Sequence, residues 1–219
     1  MAIAAKRVLA PRAVIFDLDS VLIDSRAAWC YALEEAVAAI SGRRIDAGPL
    51  VAEYRRRPWA HAAAVIVDEP AQRERCAQLA DEMFRRSALK RLLVHEGIGM
   101  ALDALRGDQV EMGAISREPH PLALRQVEST GLERFLTVLS ATPAEARFNP
   151  AARAGDCVRF LGYAGEDCAF VGADGAEAAL VEAEGLRCFG ARWATEADTG
   201  LRGVAAPGEL RQALPAAWR

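Results

Sequence analysis

The sequence predicts an α/β protein: a doubly wound parallel-sheet (Rossmann-like) core with an inserted all-helical cap domain. Three observations carry this expectation. In the second half of the chain, short β-branched and aromatic runs alternate with helical stretches of about ten residues, the signature of βαβ units. After the first apolar run, about 70 residues show helical periodicity with no strand signal. Acidic or hydroxyl residues stand at the carboxyl ends of three predicted strands, where open parallel sheets place their ligands.

Each element follows in order. Val14–Phe16 is a short buried strand by its β-branched and aromatic content, and it runs into the stretch AVIFDLDSVLIDS. From Ser25 to about Gly42, apolar residues recur at three- and four-residue spacing, as on a helix. Helical pattern continues from about Gly48 to Leu93, with a start marked at Glu69-Pro70, because proline suits a first helical turn. GIGMALDALRG is a helix closed by Gly107, VEMGAI (Val110–Ile115) a strand, PLALRQVESTG a helix ended by Gly131, and FLTVLSA a strand. ARAGDCVRFLGY, CAFVG, AEAALVEAEG and LRCFGA then read as helix, strand, helix and strand. The expected division is a core formed by residues 1–24 and 95–219, with residues 25–94 as the helical cap domain.

Composition narrows the function classes. The chain has 219 residues, 52% of them hydrophobic, which is enough for one large core or for a core with an insertion. A net charge of −3 and a pI near 5.7 provide no basic field for nucleic acid or for an anionic membrane. Five scattered cysteines without a CxxC pair point to reduced thiols, not to a disulfide framework or a zinc site. No run of 18 apolar residues and no secretion signal is evident, so the cytoplasm is the expected location.

Asp17 and Asp19, one residue apart at a strand end, pose an electrostatic problem. Two carboxylates this close repel each other and lose hydration, so a bound cation, a shared proton or plain exposure in a turn has to compensate. Ser116 and Asp174 follow two other predicted strands, and topology alone brings them toward the same sheet edge.

Here the sequence resembles a known pattern. FDLDSVLIDS is similar to the first motif, hhhDxDx[TV], of the haloacid dehalogenase-like hydrolase superfamily, in the branch with a helical cap between the first two motifs (phosphatases and β-phosphoglucomutase-like proteins). AISREP looks like the second motif, RFNP like the KPxP of the third, and FVGADGAEAALVEAEG like the fourth, GDSxxDxxxAxxAG. The resemblance spans about Pro11 to Leu210. It implies that Asp17 is the nucleophile, forming an aspartyl-phosphate, and that Asp19 is the general acid and base. It implies Mg2+ on the Asp17 carboxylate and the Asp19 carbonyl. Ser116 would donate to a phosphoryl oxygen, and Arg147 would supply the stabilising cation. Arg57, in the basic run Arg55–Arg57 of the insertion, is a candidate to meet the anionic substrate as the cap closes.

Two positions depart from the pattern. Arg147 replaces the family lysine, exchanging a compact ammonium for a planar fork. Ala173 stands where the family has a metal-binding aspartate, so Asp174 becomes the candidate metal ligand, and Glu177 sits at the second acid position. The expected function is a Mg2+-dependent phosphatase acting on a small phosphorylated metabolite, its oligomeric state open. The alternatives are a catalytically impaired member serving as a binding or scaffold protein, a phosphomutase, and a dehalogenase. Against the last, dehalogenases lack the second aspartate that this chain has at Asp19.

Overall fold

The computed structural model describes residues 10–52, 59–194 and 200–218. At its centre lies a six-stranded, all-parallel sheet in the order β5-β4-β1-β6-β7-β8. These strands are β1 (Ala13–Asp17), β4 (Glu111–Ser116), β5 (Val138–Ala141), β6 (Cys168–Gly172), β7 (Arg187–Ala191) and β8 (Arg202–Val204). The chain winds outward from β1 through β4 to β5, then crosses back to β6 on the other side of β1. The strand order therefore reverses at β1, which makes the carboxyl end of β1 the topological switch point.

Alternation along the strands builds the two faces of the sheet. Val14 and Phe16 of β1, Met112 and Ala114 of β4, and Ala169 and Val171 of β6 pack into one apolar cluster. The same cluster takes residues from α5 (Ile98–Gly107), α6 (His120–Thr130) and α9 (Leu210–Ala216). Ala13, Ile15, Ile115, Cys168 and Phe170 point the other way, onto α7 (Pro150–Leu161) and α8 (Gly175–Glu182). Burial on both faces explains why the strands read as continuous apolar runs.

Between β1 and α5 the chain forms α1 (Arg26–Ser41), α2 (Gly48–Ala52), α3 (Trp59–Ile66) and α4 (Pro70–Met83). Helix α1 ends at Gly42 with φ of 66°, and α4 starts with Pro70 in its first turn, as the sequence indicates. Cys76, Ala80 and Phe84 are buried, as are Ala32, Leu33 and Ala36 of α1. A two-stranded antiparallel ribbon, β2 (Ile23–Asp24) with β3 (Leu93–Val94), joins the entry and exit of this helical segment. The ribbon is not readable from the sequence, because a pair of two-residue strands carries no periodicity. It takes over the end of the run expected to be purely helical.

Other differences have local causes. Helix α5 runs through Gly107, and the chain reverses at Gln109, whose φ is 62°. The strand expected over FLTVLSA is confined to Val138–Ala141; its first residue, Phe135, instead closes the short 3-10 turn Leu132–Arg134. Strand β8 and helix α9 lie beyond the last predicted element. β8 is a three-residue edge strand with two exposed positions, too short and too polar to show a pattern. Among the described residues no helix is long and apolar enough to cross a membrane, and all five cysteines are free.

Candidate active site at the carboxyl end of the central strand

β1 ends at Asp17, and the next five residues, Leu18–Leu22, form a wide π-type turn. The turn is pinned from outside: Trp193 Nε1 donates to Val21 O at 3.0 Å, and His95 N donates to Leu22 O at 3.1 Å. The His95 ring nitrogen Nε2 lies 3.0 Å from Ser20 O. These contacts fix where Asp19 and Ser20 project.

Asp17 is 2% exposed. Its Oδ1 accepts from Asp19 N at 3.1 Å and its Oδ2 from the Ser20 hydroxyl at 2.6 Å. Arg117 Nη1 lies 3.0 Å from both oxygens. The other terminal nitrogen of Arg117, Nη2, donates to Glu177 Oε2. The guanidinium carbon sits 4.5 Å from the centroid of the Phe148 ring, the stacking arrangement a planar cation favours. Burial pulls the Arg117 pKa down, and the charges of Asp17, Asp19 and Glu177 more than reverse this, so it ends above the ordinary value.

Asp19 faces β4. The Ser116 hydroxyl lies 3.1 and 3.0 Å from its two carboxyl oxygens, and Arg117 N donates to Oδ2 at 2.6 Å. Ser116 is fully buried, and its Oγ also accepts from Glu118 N at 3.0 Å. Burial, then the negative charges of Asp17 and Glu118, push the Asp19 carboxyl up to about 7 against the opposing pull of Arg117. A side chain held there can both give and take a proton near neutrality. Oδ2 takes the backbone amide, which leaves Oδ1 as the oxygen better placed to carry the proton.

Asp17, Asp19 and Ser116 therefore converge, as the topology suggests. Arg147 does not join them. It is exposed in the loop before α7 and makes no hydrogen bond or ion pair among the described residues; its neighbour Phe148 is the residue that reaches the site. Arg57 lies outside the described residues. Asp174 caps α8, with Oδ1 accepting from Ala176 N at 2.9 Å and Glu177 N at 3.1 Å. Arg117 is the residue of this site that sequence reasoning overlooks. Its signal was a basic residue directly after a strand-end serine at the switch point.

The donors do not suit the divalent cation the resemblance implies. Mg2+ takes near-octahedral oxygen coordination and keeps several waters, so the protein has to offer it one or two carboxylates with no competing cation on them. Ala173 supplies no side-chain donor, Asp174 caps its own helix through Oδ1, and the lone pairs of Asp17 already accept from the guanidinium, Ser20 and Asp19 N. A divalent ion about 4 Å from the guanidinium would meet roughly 8 kcal/mol of repulsion at an effective dielectric of about 20. Among the described residues, no group of three or more His, Cys, Asp or Glu side chains is arranged to hold a metal ion.

Comparison with known proteins agrees with this architecture. The chain superposes on a haloacid dehalogenase superfamily hydrolase of subfamily IA from Geobacter sulfurreducens with a TM-score of 0.78 at 17% identity, covering 96% of this chain and 100% of that one. A Thermotoga maritima protein described as a β-phosphoglucomutase gives 0.73 at 16% identity, covering 94% and 99%. A Lactobacillus plantarum protein described as a phosphoglycolate phosphatase gives 0.71 at 12%, covering 93% and 99%. No curated protein sequence matches the chain. The family model for haloacid dehalogenase-like hydrolases matches residues 11–180. With the two aspartates at the switch point and the sheet order that frames them, this chain belongs to the haloacid dehalogenase-like hydrolase family.

Proposed function

We propose that the protein hydrolyses phosphate monoesters of small metabolites, with Asp17 as nucleophile and Asp19 as general acid and base. The observation that carries this reading is the convergence of Asp17, Asp19 and Ser116 at one strand end, with the Arg117 guanidinium 3.0 Å from the Asp17 carboxylate. One Asp17 oxygen attacks phosphorus and the bond to the substrate oxygen breaks. The departing oxygen takes the proton held by Asp19. Asp19, now a carboxylate, removes a proton from water; that water attacks phosphorus, the bond to Asp17 breaks, and inorganic phosphate leaves.

The Ser116 hydroxyl and the Arg117 guanidinium supply the donors to the phosphoryl oxygens, each releasing part of its hold on a carboxylate as the anion enters. The helical segment of residues 25–94 acts as a cap that excludes water and selects substrate, with Arg57 and Arg147 as the proposed contacts for the substrate's anionic groups. Family members generally use Mg2+; here the Asp17 oxygens are already taken by Arg117, Ser20 and the Asp19 amide.

The test is phosphate release from a panel of small monoesters, comparing wild type with Asp17→Asn. We expect turnover on at least one ester and a loss of at least ~1,000-fold in the variant. A wild type no better than Asp17→Asn on every ester would sink the reading. A second reading then takes its place: a metabolite-binding member without turnover. One observation favours it, since every contact to the Asp17 oxygens is already made by a protein donor. Phosphate moved to another hydroxyl of the same sugar, detected by product analysis, would indicate a mutase, the activity by which the Thermotoga maritima relative is described.

A further inference from the structure

We propose that Arg117 is the resident cation of this site, built into the chain in place of a divalent metal. Its guanidinium spans two carboxylates, Asp17 through Nη1 at 3.0 Å and Glu177 through Nη2. The Arg117 backbone amide meanwhile holds Asp19 at 2.6 Å. One residue thus contacts both aspartates of the pair, with its guanidinium on the Asp17 carboxylate and its backbone amide on the Asp19 carboxylate. Phe148 covers the face of the guanidinium, and the Arg117 side chain is only 18% exposed.

The surrounding positions have changed in the matching direction. Ala173, 5% exposed, removes a donor from the turn after β6, and Asp174 is turned onto the amides of α8. Glu177, at the second acid position, anchors the guanidinium. A guanidinium gives a fixed fork of hydrogen-bond donors, whereas a metal gives exchangeable coordination positions. Arg117 can therefore neutralise Asp17 and orient a phosphoryl oxygen by donation, without binding water. Chelators and the supply of metal would have no hold on such a site.

Manganese titration followed by the electron paramagnetic resonance signal of free Mn2+ tests this directly. Wild-type protein is expected to leave the signal undiminished up to about 1 mM MnCl2, and Ala173→Asp alone is expected to behave the same, because the guanidinium remains. Arg117→Ala combined with Ala173→Asp is expected to bind at least tenfold more tightly than wild type, within the range by which single shell groups alter metal affinity. Should circular dichroism show that this pair does not fold, Arg117→Gln with Ala173→Asp keeps a long polar side chain and replaces it. One Mn2+ bound by wild type with a Kd below about 1 mM overturns the proposal. So does a folded double variant that binds no better than wild type, since something other than Arg117 would then exclude the metal. The titration reads cation binding and not turnover. A failed phosphatase assay leaves it standing, and a bound metal leaves the phosphatase reading standing.

Discussion

At Asp17 the cost of burying a carboxylate is offset by three donors: an amide, a hydroxyl and a guanidinium. Removing the guanidinium leaves Asp17 and Glu177 facing each other without their shared partner. Arg117→Ala is expected to lower unfolding free energy by about 3–5 kcal/mol, measured by urea denaturation, as expected for stripping one partner from a buried ion pair. Asp19 gives a pH signature. Its carboxyl titrates near 3.8 in the unfolded chain and at about 7 in the folded one, so between those values the native state holds a proton that the unfolded state has lost. Its contribution to stability is complete below about pH 4 and fades as the pH rises toward 7. Asp19→Asn should flatten that slope in denaturation midpoints collected across the interval. If Asp19 is the acid, kcat falls above about pH 7, where the proton is gone. The convergence of Asp17, Asp19 and Ser116 was legible because all three follow predicted parallel strands and fall in ordered motifs; Asp174 shares that position and turns out to cap a helix. Arg117 was not, since a single arginine after a serine looks like any solvated loop residue until the fold shows what it faces.

Turns between elements set how the site strands are delivered. Helix α5 passes into β4 through Gln109 at a φ of 62°, a left-handed conformation that costs a side-chain-bearing residue about 1 kcal/mol. Gln109→Gly is expected to raise the melting temperature by a few degrees, within the range of glycine effects at such positions. Within β4, Gly113 sits between β1 and β5, and a methyl group there would lie 2.7 Å from Val138 Cγ1 and 3.0 Å from Ile15 Cδ1. Gly113→Ala should cost about 1–3 kcal/mol by overpacking and shift the strand that carries Ser116. Both would appear in calorimetry, the second also as lost phosphate release. The helix ends at Gly42 and Gly131 and the start at Pro70 were readable, because glycine and proline act through their own backbone geometry. The ribbon of β2 and β3 was not. Its register, Ile23 opposite Val94, joins residues about 70 positions apart that no local pattern connects.

Across the whole molecule, the reversal of strand order at β1 places Asp17 with the turn that follows it, the serine of a second strand and the loop after a third at a single edge. Phe16, fully buried beside Asp17, ties that edge to the apolar cluster on one face of the sheet. Phe16→Ala should lower stability by about 3–5 kcal/mol in denaturant unfolding and weaken turnover together with it. The sequence by itself determined the fold class, the helical insertion after the first strand and the acidic pair, because periodicity and turn chemistry are local and survive in a linear string. The tertiary structure alone decided which cation meets Asp17. Arg117 and Glu177 are 60 residues apart and Arg117 and Asp17 are 100, so their pairing exists only once parallel strands have brought their carboxyl ends together.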